Sequence, residues 1–161
     1  MTPPTEARVV AVLDALLAIA GTVSGVTVLD CDTNTDPMAD VIAIGYSNAD
    51  PVVVDVQDQA SWASAYVETI TIVCLVWSWS GSVEYAPRRQ RCRDMITALR
   101  TGIAADRTLG GWCGEARLGA LFAWRQRLSG GDQDNASGAY VSVGFSVEVR
   151  TGVDLEGARD G

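Results

Sequence analysis

The sequence predicts an α+β domain: a mainly antiparallel β-sheet with two helices packed on it and a long β-hairpin or arm. Two segments carry apolar residues at helical spacing, and several others have the alternating or continuous apolar pattern of strands. The chain has 161 residues, the size of one domain, and no stretch of linker composition divides it. We therefore expect one domain over residues 1–150 and a disordered C-terminal tail over residues 151–161.

The first part of the chain predicts one helix followed by short strands. Residues 5–20 form the helix, because apolar side chains recur at helical spacing at Val9, Leu13, Leu16 and Ala20. Short apolar runs then predict strands at residues 26–29, 41–46 and 52–56. An acidic, turn-rich loop at residues 30–40 and a polar segment at residues 57–65 connect these elements.

The strongest strand signal lies at residues 66–80. Alternate positions are apolar on one face, at Ile70, Ile72, Cys74 and Val76. The opposite face is apolar as well, at Val73, Leu75, Trp77 and Trp79. Two apolar faces indicate a central strand that is covered on both sides. The run exceeds the usual strand of about five or six residues, so we expect a bend or an arm that extends beyond the domain.

The second helix is predicted at residues 87–104, where Pro87 fits the first turn. Its apolar side chains fall within one arc, at Cys92, Met95, Ile96, Leu99 and Ile103. Two strands follow, at residues 118–128 and 140–150, and a polar loop at residues 129–138 joins them. Their alternating pattern predicts a hairpin with one buried face.

The ionisable side chains exclude several kinds of chemistry. All 12 basic residues are Arg, there is no His or Lys, and 20 acidic residues bring the net charge to −8. Without His there is no Ser-His-Asp triad and no imidazole metal site, and without Lys there is no Schiff base and no phosphate-loop lysine. We therefore expect neither an enzyme nor a bound cofactor. The acidic sum also argues against general nucleic-acid binding.

A calcium site in the acidic loop is the most concrete alternative function. Asp30, Asp32 and Asn34 match the first three ligand positions of a calcium-binding loop. Thr35 and Val41, however, stand where Gly and Glu are required, so a solvated connection is the preferred interpretation. The four cysteines form no CxxC pair, and we expect them to be small buried hydrophobic residues, with a single disulfide as the alternative.

Charge is unevenly distributed along the chain. Residues 87–130 contain nine Arg and three acidic residues, whereas residues 1–86 contain one Arg and 11 acidic residues. The basic cluster fits a solvated helix flank, a contact with the acidic surface of a neighbouring copy, or a phosphate contact. Two tryptophans on one face of the long strand fit either the core or an interface anchor. The subunit-interface candidates are Arg88, Arg89, Arg91, Arg93, Arg100, Trp77 and Trp79.

A succession of motifs extends from the long strand to the hairpin. It runs through Val76-Trp77-Ser78-Trp79-Ser80-Gly81, Arg88-Arg89-Gln90-Arg91, Leu99-Arg100, Asp106-Arg107-Thr108-Leu109-Gly110-Gly111 and Ser137-Gly138-Ala139-Tyr140-Val141-Ser142-Val143. Across residues 5–150 this succession resembles the tail terminator proteins of long-tailed, siphovirus-like bacteriophages, especially those that infect actinobacteria. A composition with Arg and no Lys suits a GC-rich genome.

The resemblance implies a structural virion protein that closes into a hexameric ring. Such a ring caps the tail tube, stops polymerisation of the tail tube protein and offers a docking face to a head-side connector or stopper protein. DNA passes through the ring without specific binding, no membrane is involved, and the protein resides in the tail or neck after assembly in the host cytoplasm. Other neck components, such as a head–tail connector, a stopper or a tail completion protein, are the alternative, since their sizes and folds are similar.

Overall fold

The computed structural model describes residues 5–30, 40–45, 54–60, 65–119, 123–129 and 138–154. In these residues there are two helices, α1 (Thr5–Gly21) and α2 (Tyr85–Ala105). The strands are β1 (Thr27–Asp30), β2 (Val41–Ile44), β3 (Val54–Ala60), β4 (Ala65–Ser80), β5 (Glu115–Leu118), β6 (Ala123–Ser129) and β7 (Gly138–Asp154). Neither helix combines the length and the apolar character that crossing a bilayer requires.

The sheet is built around two long central strands, β4 and β7. They pair antiparallel along their whole length, from Ala65 opposite Asp154 to Ser80 opposite Ala139. The order is β1-β2-β4-β7-β5, with β3 also beside β4 and β6 also beside β7. Among the described strands, β1 and β2 form the parallel pair and the other pairs are antiparallel. The structure confirms the predicted α+β class, the mainly antiparallel sheet and the central position of β4.

Among the described residues, the outer strands on both sides of this central pair begin or end at the same level. The strand ends nearest this level pair as Ile44 with Cys74, Val54 with Ile72, Leu118 with Val147, and Ala123 with Gly144. Val73 and Ser146, which face each other in the central ladder, lie between these ends. Of the described strands, only β4 and β7 continue through this level, where the Gly119 N–H, directly after β5, still donates to the Ser146 carbonyl at 2.7 Å.

The main core lies between the helices and one face of the sheet. The predicted helical arc of α2 is buried in full, at Cys92, Met95, Ile96, Leu99 and Ile103. It packs with Val12 and Leu16 of α1 and with alternate residues of β4 and β7, among them Ile72 and Val147. Each fully buried Leu, Ile or Val contributes roughly 1.5–3 kcal/mol relative to an exposed one, so this face supplies most of the apolar stabilisation.

A smaller cluster covers the opposite face of the sheet. It contains Val41 and Ala43 of β2 with Leu75 and Trp77 of β4, and Tyr140 packs against it. Both faces of the long strand are therefore buried near its middle, as its two apolar faces predict.

Three predictions differ from the structure by more than two residues. The third strand covers Val54–Ala60, so residues 57–60 are not part of a polar connection, and β7 continues to Asp154 rather than ending at residue 150. The strand predicted at 118–128 is divided into β5 and β6. Residues 57–59 are polar, and the strand conformation of residues 57–60 comes from pairing with β4, which an apolar pattern does not report. The acidic loop at 31–39 and residues 155–161 lie outside the described residues.

Candidate subunit interface

The arginines of α2 occupy two flanks of the helix, on either side of its buried arc. Residues four apart lie on the same flank of a helix, which groups Arg89 with Arg93 and, two turns later, Arg100. These three side chains are exposed. Arg88 and Arg91 are half-buried and make contacts within the chain. The fold therefore divides a cluster that is continuous in the sequence.

Asp40, directly before β2, contacts the flank of α2 that carries Arg88 and Arg91, which we call the inner flank. Arg91 Nε donates to Asp40 Oδ2 at 2.7 Å, and Arg91 Nη2 donates to the Ser24 carbonyl at 2.9 Å. Arg88 Nη1 donates to Ser78 Oγ at 2.8 Å and lies 3.7 Å from Asp40 Oδ1, to which Ser78 Oγ donates. These bonds join the turn after α1, β2, β4 and α2. Arg88 and Arg91 are thus used in the packing of the monomer.

The outer flank of α2, which carries Arg89, Arg93 and Arg100, lies beside the edge of the sheet. Arg89 Nη1 donates to Gln126 Oε1 of β6 at 2.7 Å. Farther along the helix, Arg100 lines a hollow of about 270 Å³ between α2 and β5. We call this surface the basic edge and define it by Arg89, Arg93, Arg100, Arg107, Arg125 and Arg127.

An exposed tryptophan, Trp124, lies in β6 within the basic edge. Its side chain is 48% exposed, and it projects to the same side of the strand as Gln126, the side that faces α2. On the opposite side of the strand, the Arg127 guanidinium lies 4.5 Å from the centre of the Tyr140 ring. Trp and Arg are the residue types that dominate binding energy at protein interfaces. Trp124 was not among the interface candidates from the sequence, although a Trp beside Arg125, Gln126 and Arg127 in one strand is a signal for it.

The two tryptophans selected from the sequence lie on the sheet face opposite the helices. Trp77 is buried at 5% exposure against Val41, Ala43 and Leu75. Trp79 is half-buried. Trp77 therefore has the surroundings of a core aromatic, and the structure does not bring it together with the exposed arginines of α2.

An apolar groove lies between α1 and the turn that follows α2, residues 106–112. Its volume is about 620 Å³. One wall is formed by small side chains of α1, at Ala11, Ala15 and Ala18, and the other by Leu109 and Trp112. Asp14 and Asp106 also line it, and none of its described lining residues is basic. The groove therefore combines apolar walls with acidic charge.

The turn forms this wall because its sequence, with two consecutive glycines, favours a backbone with positive φ angles. The backbone runs through positive φ at Leu109, Gly110 and Gly111. Glycine adopts such angles at little steric cost. The Gly110 N–H donates to Asp106 Oδ1 at 3.0 Å, and the Gly111 N–H donates to the Thr108 carbonyl at 3.0 Å. These bonds close the turn directly after the helix and fix the position of the wall.

The groove and the basic edge lie on opposite flanks of α2. On one flank α1 comes so close that a Cβ at Gly102 would lie 2.6 Å from Ile19 Cγ2. On the other flank Arg89 reaches β6. A contact between the basic edge and the groove therefore requires two copies of the chain.

A buried ion pair joins α1 to β4. Arg8 donates from Nε and Nη2 to Glu68 Oε1, at 3.1 Å and 2.7 Å, and both residues are at most 3% exposed. The sequence analysis did not identify this pair, but a signal was present. Arg8 extends the buried stripe of Val12 and Leu16 by one turn, and Glu68 extends the buried face of β4 two residues before Ile70.

The buried cysteines are poorly suited to nucleophilic chemistry. Burial, with a smaller effect from Asp40, raises the pKa of the Cys92 thiol to about 12. Burial, with a smaller effect from the charge of Asp106, raises the pKa of the Cys113 thiol to about 11. These thiols are protonated at neutral pH, and with Cys74 they are free. This agrees with the prediction of small buried residues, while Cys31 lies outside the described residues.

The described part of the chain contains no group of three or more His, Cys, Asp or Glu residues placed to hold a metal ion. Most of the calcium-loop candidate, residues 31–39, falls outside it. No protein-family model matches the chain, and no curated protein matches it.

Proposed function

We propose that this protein is a phage tail terminator, a structural subunit that forms a ring, which caps the tail tube, stops its polymerisation and joins it to the head connector. The observation that carries the proposal is the presence of two unlike surfaces on opposite flanks of α2, the basic edge and the acidic groove. A ring with head-to-tail contacts needs two different patches on every subunit. The motif succession from residue 76 to 143 supports the assignment of that ring to a phage tail.

The charge of the chain is consistent with a channel that DNA crosses. The net charge is −8 although 12 arginines are present. If neighbouring copies cover the basic edge, the exposed remainder of the ring is acidic. Like charges repel the phosphate backbone, so DNA slides through without being held.

Light scattering of the purified chain, alone and mixed with tail tubes, tests the proposal. We expect closed oligomers in solution, or rings that form at tube ends and stop further addition of tube protein, visible by electron microscopy. A chain that stays monomeric both with and without tubes contradicts it. Co-purification with portal-bearing capsids instead of tubes would identify the protein as a different neck component, a connector or stopper.

A further inference from the structure

We propose that Trp124 of one copy docks into the groove between α1 and residues 106–112 of the next copy, and that this is the repeated contact of the assembly. The inference rests on the proposed function, because it specifies how the ring closes. It commits to a second copy of this chain as the occupant of the groove.

The groove suits a large flat side chain. Small residues line α1 there, so an aromatic ring can approach the helix backbone closely at Ala11, Ala15 and Ala18. Leu109 and Trp112 supply apolar and aromatic surface on the other wall. A volume of about 620 Å³ leaves space for more than one inserted side chain.

Trp124 is presented by a rigid element. β6 pairs with β7 from Ala123 opposite Gly144 to Ser129 opposite Gly138. The bond from Arg89 to Gln126 ties the same strand to α2. An anchor held in place before binding loses little conformational entropy when it docks, so more of its burial energy appears as affinity.

Charge complementarity selects this pairing of surfaces. Asp14 is exposed, and with Asp106 it makes the groove negative. Arg89 and Arg93 are exposed on the flank of α2 that faces β6. Opposite charges around an apolar anchor favour one orientation and disfavour the contact of two grooves or of two basic edges.

The contact propagates from copy to copy. Because Trp124 and the groove lie on opposite flanks of α2, a docked pair retains one free Trp124 and one free groove. A contact of this kind adds subunits in one direction until rotation closes the ring.

Two exposed positions test the docking without disturbing the core. Trp124→Ala removes the anchor, and Ala18→Arg fills the groove and offsets part of its negative charge. We expect each variant to raise the dissociation constant of assembly by roughly 30-fold or more, as removal of an interface anchor does. Val83→Ala, at a position that is 54% exposed outside both surfaces, is the matched control and should assemble as the parent does. Circular dichroism melting curves establish that each variant folds.

Mixing the two defective variants distinguishes this contact from others. The Ala18→Arg chain keeps its Trp124 and the Trp124→Ala chain keeps its groove, so the mixture should form a 1:1 dimer that does not grow. Absence of this dimer, or unchanged assembly of both single variants while the parent forms rings, overturns the docking and leaves the proposed function intact. A parent chain that never associates, even on tubes, contradicts both. A parent that stops at dimers and needs both Trp124 and the groove supports the docking and contradicts the ring.

Discussion

Arg8 and Glu68 place an ion pair where the two buried faces would otherwise continue as apolar packing. Removing both charges from water is costly, and the 2.7 Å contact offsets that cost only while both partners remain. The pair joins the first turn of α1 to the early part of β4, 60 residues later in the chain. Its geometry therefore fixes the position of α1 more specifically than an apolar contact would.

We predict that Arg8→Met destabilises the fold by about 3–5 kcal/mol, because it leaves the Glu68 carboxylate buried without this partner. The double variant Arg8→Met/Glu68→Leu should be closer to the parent, since both charges are removed. Urea denaturation of the parent, the single variants Arg8→Met and Glu68→Leu, and the double variant gives the coupling free energy directly. Additive losses in the double variant would show that the two side chains act independently.

Cys92 links the stability of the fold to alkaline pH. Burial raises the pKa of its thiol from 9.0 to about 12. Between these pH values the unfolded chain therefore binds fewer protons than the folded chain does. The free energy of unfolding should therefore fall as pH rises above 9, by at most about 1.4 kcal/mol per pH unit from this group. We predict a shallower fall for Cys92→Ala in denaturation at pH 8–10.5. Val143→Ala, which truncates the core without removing a titrating group, should keep the slope of the parent.

Elements with a strong side-chain period were predicted well. The arc of α2 from Cys92 to Ile103 was identified correctly, because a single stripe of apolar residues determines which helix face is buried. The end of β3 was predicted four residues too early, because residues 57–60 are held by backbone pairing with β4 and their side chains do not alternate in polarity. The division of β5 from β6 was also missed, since both have strand-like patterns and the interruption depends on register with β7.

The start of β7 depends on a close backbone contact. A Cβ at Gly138 would overlap the carbonyl oxygen of Ser80 at the end of β4. We predict that Gly138→Ala destabilises the fold by about 2 kcal/mol or more, because backbone atoms must move apart. Gly21→Ala is the matched control, since nothing lies within 4 Å of the added methyl group. Its unfolding free energy should stay within about 1 kcal/mol of the parent. Equal thermal melting of the two variants would contradict the argument.

At the scale of the whole molecule, the sequence shows that basic residues are gathered in one part of the chain. It does not show that the fold divides them between two flanks of α2. The sequence analysis treated Arg88, Arg89, Arg91 and Arg93 as one cluster. The fold assigns two of them to Asp40, which lies 51 residues from Arg91 along the chain. Contacts at such separation have no local signal, so the candidate interface could be located from sequence only to within one helix.

We predict that Arg89→Glu/Arg93→Glu weakens assembly while the monomer stays folded, because both side chains are exposed. The dissociation constant should rise by roughly ten- to a hundredfold, and added salt should weaken assembly of the parent. Arg91→Glu provides the contrast: it sets two carboxylates against each other at Asp40 and should lower the melting temperature. Light scattering and thermal melting measure the two effects separately. Unchanged assembly of the double variant would exclude the outer flank as an interface.

The common level at which the outer strands begin or end has a mechanical consequence. Above and below the level of Val73 and Ser146, the central ladder is paired with outer strands on both sides, whereas at that level the described flanking bond is the one from the Gly119 N–H to the Ser146 carbonyl. A sheet with fewer bonded strands bends more easily. We therefore expect a load on the described sheet to bend it most at this level.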